Sequence, residues 1–376
     1  MHIVYQILKN CQVIRELCDK QKNGTQFNIC VKQILKSIYW SIGMEGLYLN
    51  KELNRIEKLA REKAKQDKCL LCGKKMSSYC NSHSIPRYIL KNISEQGFVN
   101  DLSLILEMPN TKKKLGTKEA GTFNNICSDC DQKWFKDYEE PDKLLDENLS
   151  DKLLAEIALK NVSQMIYKRH YEKELYKLYS EDFPDDMLKL VVSWKNWDIR
   201  DYKQRLEIYK RIIENDEKGS FNIIYKKVLP YQTKIAAQSA IAINDYNNRQ
   251  INDVFSEKEL TDIQIMHICV FPLKSETLLL LFYHKADKKY RDIMHDFNSH
   301  SDEYKIDMFN YFVFANIENF YFSPAIGSIF IENDKLKYLC MEQYQLPILN
   351  KEYSIYNMED YTPIEYNEIP NVLNIK

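Results

Sequence analysis

Along residues 2–18, Val4, Ile7, Leu8, Cys11, Ile14 and Cys18 recur at steps of three and four, the spacing of one face of an amphipathic helix. The apolar stretch Ile29 to Tyr48 is broken by Lys32 and Lys36, so it reads as a buried helix and not a membrane span. Residues 51–68 continue as a charged helix with a solvated face. Ser150 stands where a cap would, ahead of a stripe formed by Leu153, Leu154, Ile157, Ala158 and Met165. Helix continues through Trp194 to Ile213, with a break at Phe183-Pro184.

The period changes after Gly219. Phe221–Tyr225 and Ser239–Ile243 read as short strands, while Ile263–Phe271 and Thr277–Tyr283 read as a hairpin. The run Leu278–Leu281 marks a strand covered on both faces. Asp302–Phe322 reads as one helix ending before Pro324, and the segment with Pro347, Pro363 and Pro370 as an extended arm over the surface. The fold class expected is α+β, in four regions. These are a helical N-terminal region (1–68), a small zinc-bound module (69–141), a helical linker region (142–218) and a C-terminal α/β region with an extended tail (219–376).

The chain has 376 residues, 44% hydrophobic and 28% charged, enough for a buried core and for two or three domains. Its 53 Lys and Arg nearly cancel 54 Asp and Glu, so a nucleic acid must be held by a local patch and not by overall charge. The first residues, Met1-His2-Ile3-Val4-Tyr5-Gln6, have no basic n-region, and no long uncharged apolar stretch follows. The expectation is a cytoplasmic protein without a membrane span. Ten cysteines are too sparse for a disulfide scaffold, which makes their spacing informative.

Cys69-Leu70-Leu71-Cys72-Gly73-Lys74-Lys75 and Cys127-Ser128-Asp129-Cys130-Asp131 are two Cys-x-x-Cys pairs, a soft four-sulfur donor set suited to tetrahedral Zn2+. Cys80 is an alternative for one ligand. Between the pairs lies Asn81-Ser82-His83-Ser84-Ile85-Pro86-Arg87. There His83 reads either as a general base or as a ring that bonds main chain and fixes a turn, and Ser84 and Pro86 also suit a helix start.

This order of residues resembles a zinc-knuckled HNH (ββα-metal, treble-clef-like) nuclease domain. It is also similar to a group of uncharacterised bacterial proteins with a Ser-His-Ser type segment, then Gly-x-x-x-Ala-x-Thr-Phe, then a Cys-x-x-(Cys or His)-Asp helix ending in an acid. The matching stretches here are Ser82–Ser84, Gly116–Phe123 and Cys127–Glu139. The resemblance covers roughly residues 69–175. It implies structural Zn2+ on Cys69, Cys72, Cys127 and Cys130, and His83 as the base that activates water. Asp131 would be a hard ligand for catalytic Mg2+ or Mn2+, and Glu139 a second ligand or the orienter of His83. Arg87, Lys91, Lys112, Lys113 and Lys114 would clamp the phosphate backbone of DNA or RNA. Such modules fused to larger regions occur in phage-defence proteins, so the resemblance implies a metal-dependent endonuclease in bacterial antiviral defence. Ser82, where HNH nucleases commonly carry an acid or a second His, motivates the alternative: a non-catalytic zinc-stabilised module that binds nucleic acid or a protein partner.

Overall fold

The computed structural model describes residues 45–76, 78–102, 114–178, 185–243, 245–246, 249–252, 263–342 and 364–375. The helix expected over 2–18, most of that over 29–48, Lys112, Lys113 and the bulk of the proline-bearing arm lie outside the described residues. The charged helix is present as α1 (Glu45–Ala64), ending on Arg61 and Lys63 in its last turn.

The cysteine-bearing segment contributes short elements: β1 (Ser82–His83), α2 (Arg87–Ile93), β2 (Phe98–Asp101), β3 (Leu115–Gly116), β4 (Thr122–Phe123), α3 (Ser128–Trp134) and α4 (Pro141–Leu145). Two long helices follow, α5 (Asp151–Leu178) and α6 (Asp185–Asn215). As the stripe requires, Ser150 Oγ accepts from the Leu153 amide at 3.2 Å and opens α5.

The strand expected at Phe221–Tyr225 is β5 (Phe221–Leu229), four residues longer; that expected at Ser239–Ile243 overlaps β6 (Ile235–Ile241), which starts four residues earlier. β9 (Met266–Pro272) pairs with β10 (Thr277–His284) as the expected hairpin, while β7 (Asp245–Tyr246) and β8 (Arg249–Gln250) form a small separate ladder. Further on come α7 (Tyr290–Ser299), α8 (Asp302–Asn316), β11 (Phe320–Phe322), α9 (Gly327–Glu332) and α10 (Asp334–Glu342). One expected helix is therefore shorter than its apolar pattern suggested. Ile317 leaves α8 with extended backbone, and Phe320–Phe322 become a strand, with Phe320 and Phe322 packed against Phe330.

The main sheet has seven strands in the order β3-β2-β11-β6-β9-β10-β5, with every pair antiparallel. Its central strands β6 and β9 are buried at every position, and β10 at all but its last, because both faces are covered. Ala236, Ala240, Cys269, Phe271, Leu278 and Leu280 face a cluster that includes Ile85, Ile89, Ile157, Leu206 and Tyr209. The alternate residues Ile235, Ile241, Ile268, Val270, Leu279 and Leu281 share a second cluster with Phe297, Phe309, Phe312 and Phe330. The result is a three-layer arrangement with the sheet in the middle.

Two consequences bear on the site. First, β2 and β3 of the cysteine-bearing segment are the edge of the main sheet, through Tyr321↔Asp101 and Phe322↔Asn100. Second, a buried polar chain keys that segment to the sheet. Tyr138 Oη donates to Gln238 Oε1 (2.5 Å), Gln238 Nε2 to Asn161 Oδ1 (2.7 Å), and Asn161 Nδ2 to His267 Nδ1 (3.2 Å). Because Nδ1 accepts, the neutral ring carries its proton on Nε2 and donates to Tyr209 Oη at 3.0 Å. Complete burial pushes the pKa of His267 down to about 3 and keeps it neutral. The described end of the arm is also docked: Val372 and Leu373 are buried, and the Val372 amide donates to Asn310 Oδ1 on α8.

Candidate functional site

The four paired cysteines come together. Their sulfurs lie within 4.8 Å of one another, and Cys72 Sγ is 3.9 Å from Cys127 Sγ. Four thiolates on one zinc at about 2.3 Å would stand ~3.8 Å apart, so the set is compatible with a structural Zn2+. Two come from a tight turn in which the Gly73 amide donates to Cys69 O (2.9 Å) and the Cys69 amide to Lys74 O (2.9 Å); Gly73 supplies the left-handed φ of +69° that this turn demands. The other two sit at the start of α3, where Cys127 is the N-cap and Cys130 lies in the first turn. The turn and helix are tied by the Leu70 amide to Asn125 O (2.8 Å) and the Cys127 amide to Cys69 Sγ (3.3 Å).

Burial pushes the Cys69 thiol up, but hydrogen bonds from the Cys127, Cys72 and Leu71 backbone outweigh it and bring the pKa down to about 7. Burial, then sharing of protons with Cys127 and Cys72, holds Cys130 well above the usual thiol range. Cys80 stands apart from this set, with its thiol 3.8 Å from Asp131 Oδ2.

Beside the sulfurs, β1 pairs with β4 in the register Ser82↔Phe123 and His83↔Thr122, and α3 follows. His83 is half-buried, and its Nε2 lies 3.2 Å from Thr117 O. A carbonyl can only accept, so Nε2 carries the proton and Nδ1 is left as the acceptor of a neutral ring. Burial lowers the His83 pKa, and the positive charges of Lys160 and Arg87 lower it further against the raising effects of Thr117 O and Asp131.

Asp131, on α3, does not present an open carboxylate. Its Oδ1 accepts from Lys160 Nζ at 2.8 Å and from Ser82 Oγ at 2.5 Å. Lys160 also donates to Ser82 Oγ (3.0 Å) and stands 3.6 Å from the centre of the Phe135 ring. Glu139 is exposed, and protein crowding around its carboxyl raises its pKa, with Lys160 opposing and Asp131 adding. It makes no hydrogen bond to the His83 ring among the described residues.

Among the described residues the only His, Cys, Asp and Glu group arranged to hold a metal is the set of four cysteines. The expectation that Asp131 holds Mg2+ or Mn2+ with Glu139 as second ligand finds no support among the described residues, where Asp131 pairs with Lys160 and Ser82 supplies no charge. Of His83, Asp131 and Glu139, Asp131 bonds Lys160 directly, and His83 and Glu139 feel its positive charge. No motif pointed to Lys160. The available signal was a charged residue within an apolar face, three positions after Ile157 and seven after Leu153, a position that buries it.

Of the expected phosphate clamp, Arg87 lies near His83, with its buried Nε lacking a hydrogen-bond partner among the described residues. Lys91 is exposed in the last turn of α2, and Lys114 is exposed just before β3. Ser84 does not cap α2; its Oγ donates to Asn319 Oδ1 at 2.9 Å, and Pro86 takes the N-cap position.

No helix among the described residues is long and apolar enough to cross a membrane. Comparison of the chain with protein-family models, with curated proteins and with solved structures found no match.

Proposed function

We propose that residues 69–141 are a zinc-stabilised module of the HNH, treble-clef-like kind, and that the chain is an endonuclease hydrolysing phosphodiester bonds of DNA or RNA at His83. The observation that carries this reading is the state of that ring. It is neutral, half-exposed, oriented through Nε2–H to Thr117 O, with Nδ1 as acceptor and the Arg87 guanidinium close enough to lower its pKa.

Cys69, Cys72, Cys127 and Cys130 would hold Zn2+, which would supply rigidity by joining the turn to the start of α3. His83 Nδ1 takes a proton from water as the water oxygen bonds to phosphorus and the bond to the leaving ester oxygen breaks, and that oxygen takes a proton from solvent. Arg87 holds the phosphoryl oxygens, and Lys91 and Lys114 extend the contact along the backbone.

The test is cleavage of plasmid DNA and of a structured RNA by zinc-loaded protein and by His83→Ala. Loss of cleavage in the variant, with unchanged zinc content and melting temperature, is expected. Cleavage by the variant at the native rate overturns the assignment.

One observation favours a second reading, a non-catalytic zinc-stabilised module that binds nucleic acid or protein: the Lys160–Asp131 pair removes the hard anionic ligand that a hydrolytic metal would need. It predicts retention of nucleic acid on the zinc-loaded protein with no cleavage under any ionic condition.

A further inference from the structure

Three donors and acceptors from three separate parts of the chain meet under β1. Ser82 is fully buried, the Lys160 side chain is 1% exposed, and Asp131 is reached from α3. The ammonium bonds both oxygens, at 2.8 and 3.0 Å, and its remaining face lies 3.6 Å from the Phe135 ring, so its charge is fully met. A hard divalent ion bound by the same Ser82 and Asp131 oxygens would stand about 2.0–2.6 Å from them. The ammonium occupies that space, carries the opposite charge to the carboxylate, and would repel a second cation beside it.

We infer that Lys160 is the resident cation of this site: its ammonium, held between Ser82 and Asp131, takes the place of the divalent ion, and the site does not bind Mg2+ or Mn2+. The part of this that concerns catalysis rests on the phosphodiesterase reading above. Cleavage at His83 then proceeds without a divalent cofactor, with Arg87 as the charge that meets the phosphoryl group. Lys160 is a positioning residue here. It is enclosed and touches no substrate, but it holds Asp131 and Ser82, and through Ser82 the strand that carries His83.

The experiment uses the full, zinc-loaded chain in metal-depleted buffer with Mn2+ as probe, read by the loss of the free-ion electron paramagnetic resonance signal. Wild type is expected to leave the Mn2+ signal undiminished. Lys160→Ala, which frees the Asp131 carboxylate, is expected to bind Mn2+ at least about tenfold more tightly than wild type, the scale on which single supporting groups change metal affinity. That gain should vanish in Lys160→Ala/Asp131→Asn.

Mn2+ binding by wild type that is lost in Asp131→Asn overturns the inference, and this arm needs no Lys160 variant to fold. Cleavage assays on the same samples separate the two readings. Cleavage unchanged by Mg2+ supports both. Cleavage only with Mg2+, together with Asp131-dependent Mn2+ binding, sinks the Lys160 assignment and keeps the nuclease. No cleavage at all, with Mn2+ excluded from wild type, sinks the nuclease and keeps the assignment.

Discussion

Removing zinc from the four-cysteine site should loosen the turn and the start of α3 without unfolding the rest of residues 69–141. Cys127 lies 55 positions beyond Cys72, and the chain between them forms the loop. Were all of its residues free once the metal was gone, the length-dependent closure term would be ~3.5 kcal/mol, a factor of about 400 in local opening. They are not free. Ile85, Ile89, Leu90, Ile93 and Val99 are buried in the core beneath the sheet, and β2 is paired with β11.

The span that zinc itself restrains therefore runs from Cys72 to Ile85, about a dozen residues, for which the same term is ~2.3 kcal/mol and the factor about 50. Hydrogen exchange measured by mass spectrometry with and without a zinc chelator reads this directly. The amides of Cys69, Leu70, Gly73 and Asp131, each hydrogen-bonded to a nearby carbonyl, should exchange about 50-fold faster after chelation. Those of Phe98–Asp101 and of β9 should not change. Concerted loss of protection across Ile85–Asp101, or no change at the turn, refutes the argument that the main core and not the metal holds the middle of this segment.

Other outcomes follow from single sites. Because burial, Lys160 and Arg87 lower the His83 pKa below 6.5, against Thr117 O and Asp131, the base stays unprotonated at neutral pH. A pH–rate profile should thus show activity intact at pH 7 and lost only on the acid side, below 6.5; an acid limb above 7 would exclude His83 as base. His267, at about 3, is neutral when folded but protonates near 6.5 when unfolded, so its contribution is complete above 6.5 and shrinks as pH falls toward 3. That loss is of order 5 kcal/mol at most, and nuclear magnetic resonance should find the ring still neutral at pH 5. A Gly121→Ala side chain would sit 2.7 Å from Ser84 Oγ at a φ of +69°, whereas Gly97→Ala, at a φ of +83°, meets nothing within 4 Å. Thermal melts should show Gly121→Ala losing more than the ~1–3 kcal/mol of backbone strain that both share, and equal melting temperatures would contradict the crowding.

Features written in local chemistry were legible along the chain. Two Cys-x-x-Cys pairs predict a sulfur cluster because each pair already sits on one turn, and the structure brings them within bonding reach of one ion. Ser150 and the stripe after it locate the start of α5, and the doubled apolar runs locate β9 and β10, because capping and burial on two faces act within a few residues. Tertiary structure alone decided the rest. Phe320–Phe322 leave a helical pattern for a strand because the sheet offers a slot between β2 and β6. β2 and β3 read as part of a small module, yet they are sheet edge because their partners lie far along the chain. Lys160 meets Asp131 across 29 residues and Ser82 across 78. No periodicity or spacing encodes such a meeting, since an ion pair depends on where two elements pack and not on what neighbours either residue in sequence. The cysteine spacing therefore pointed to a metal, while packing decided that the carboxylate beside His83 faces an ammonium.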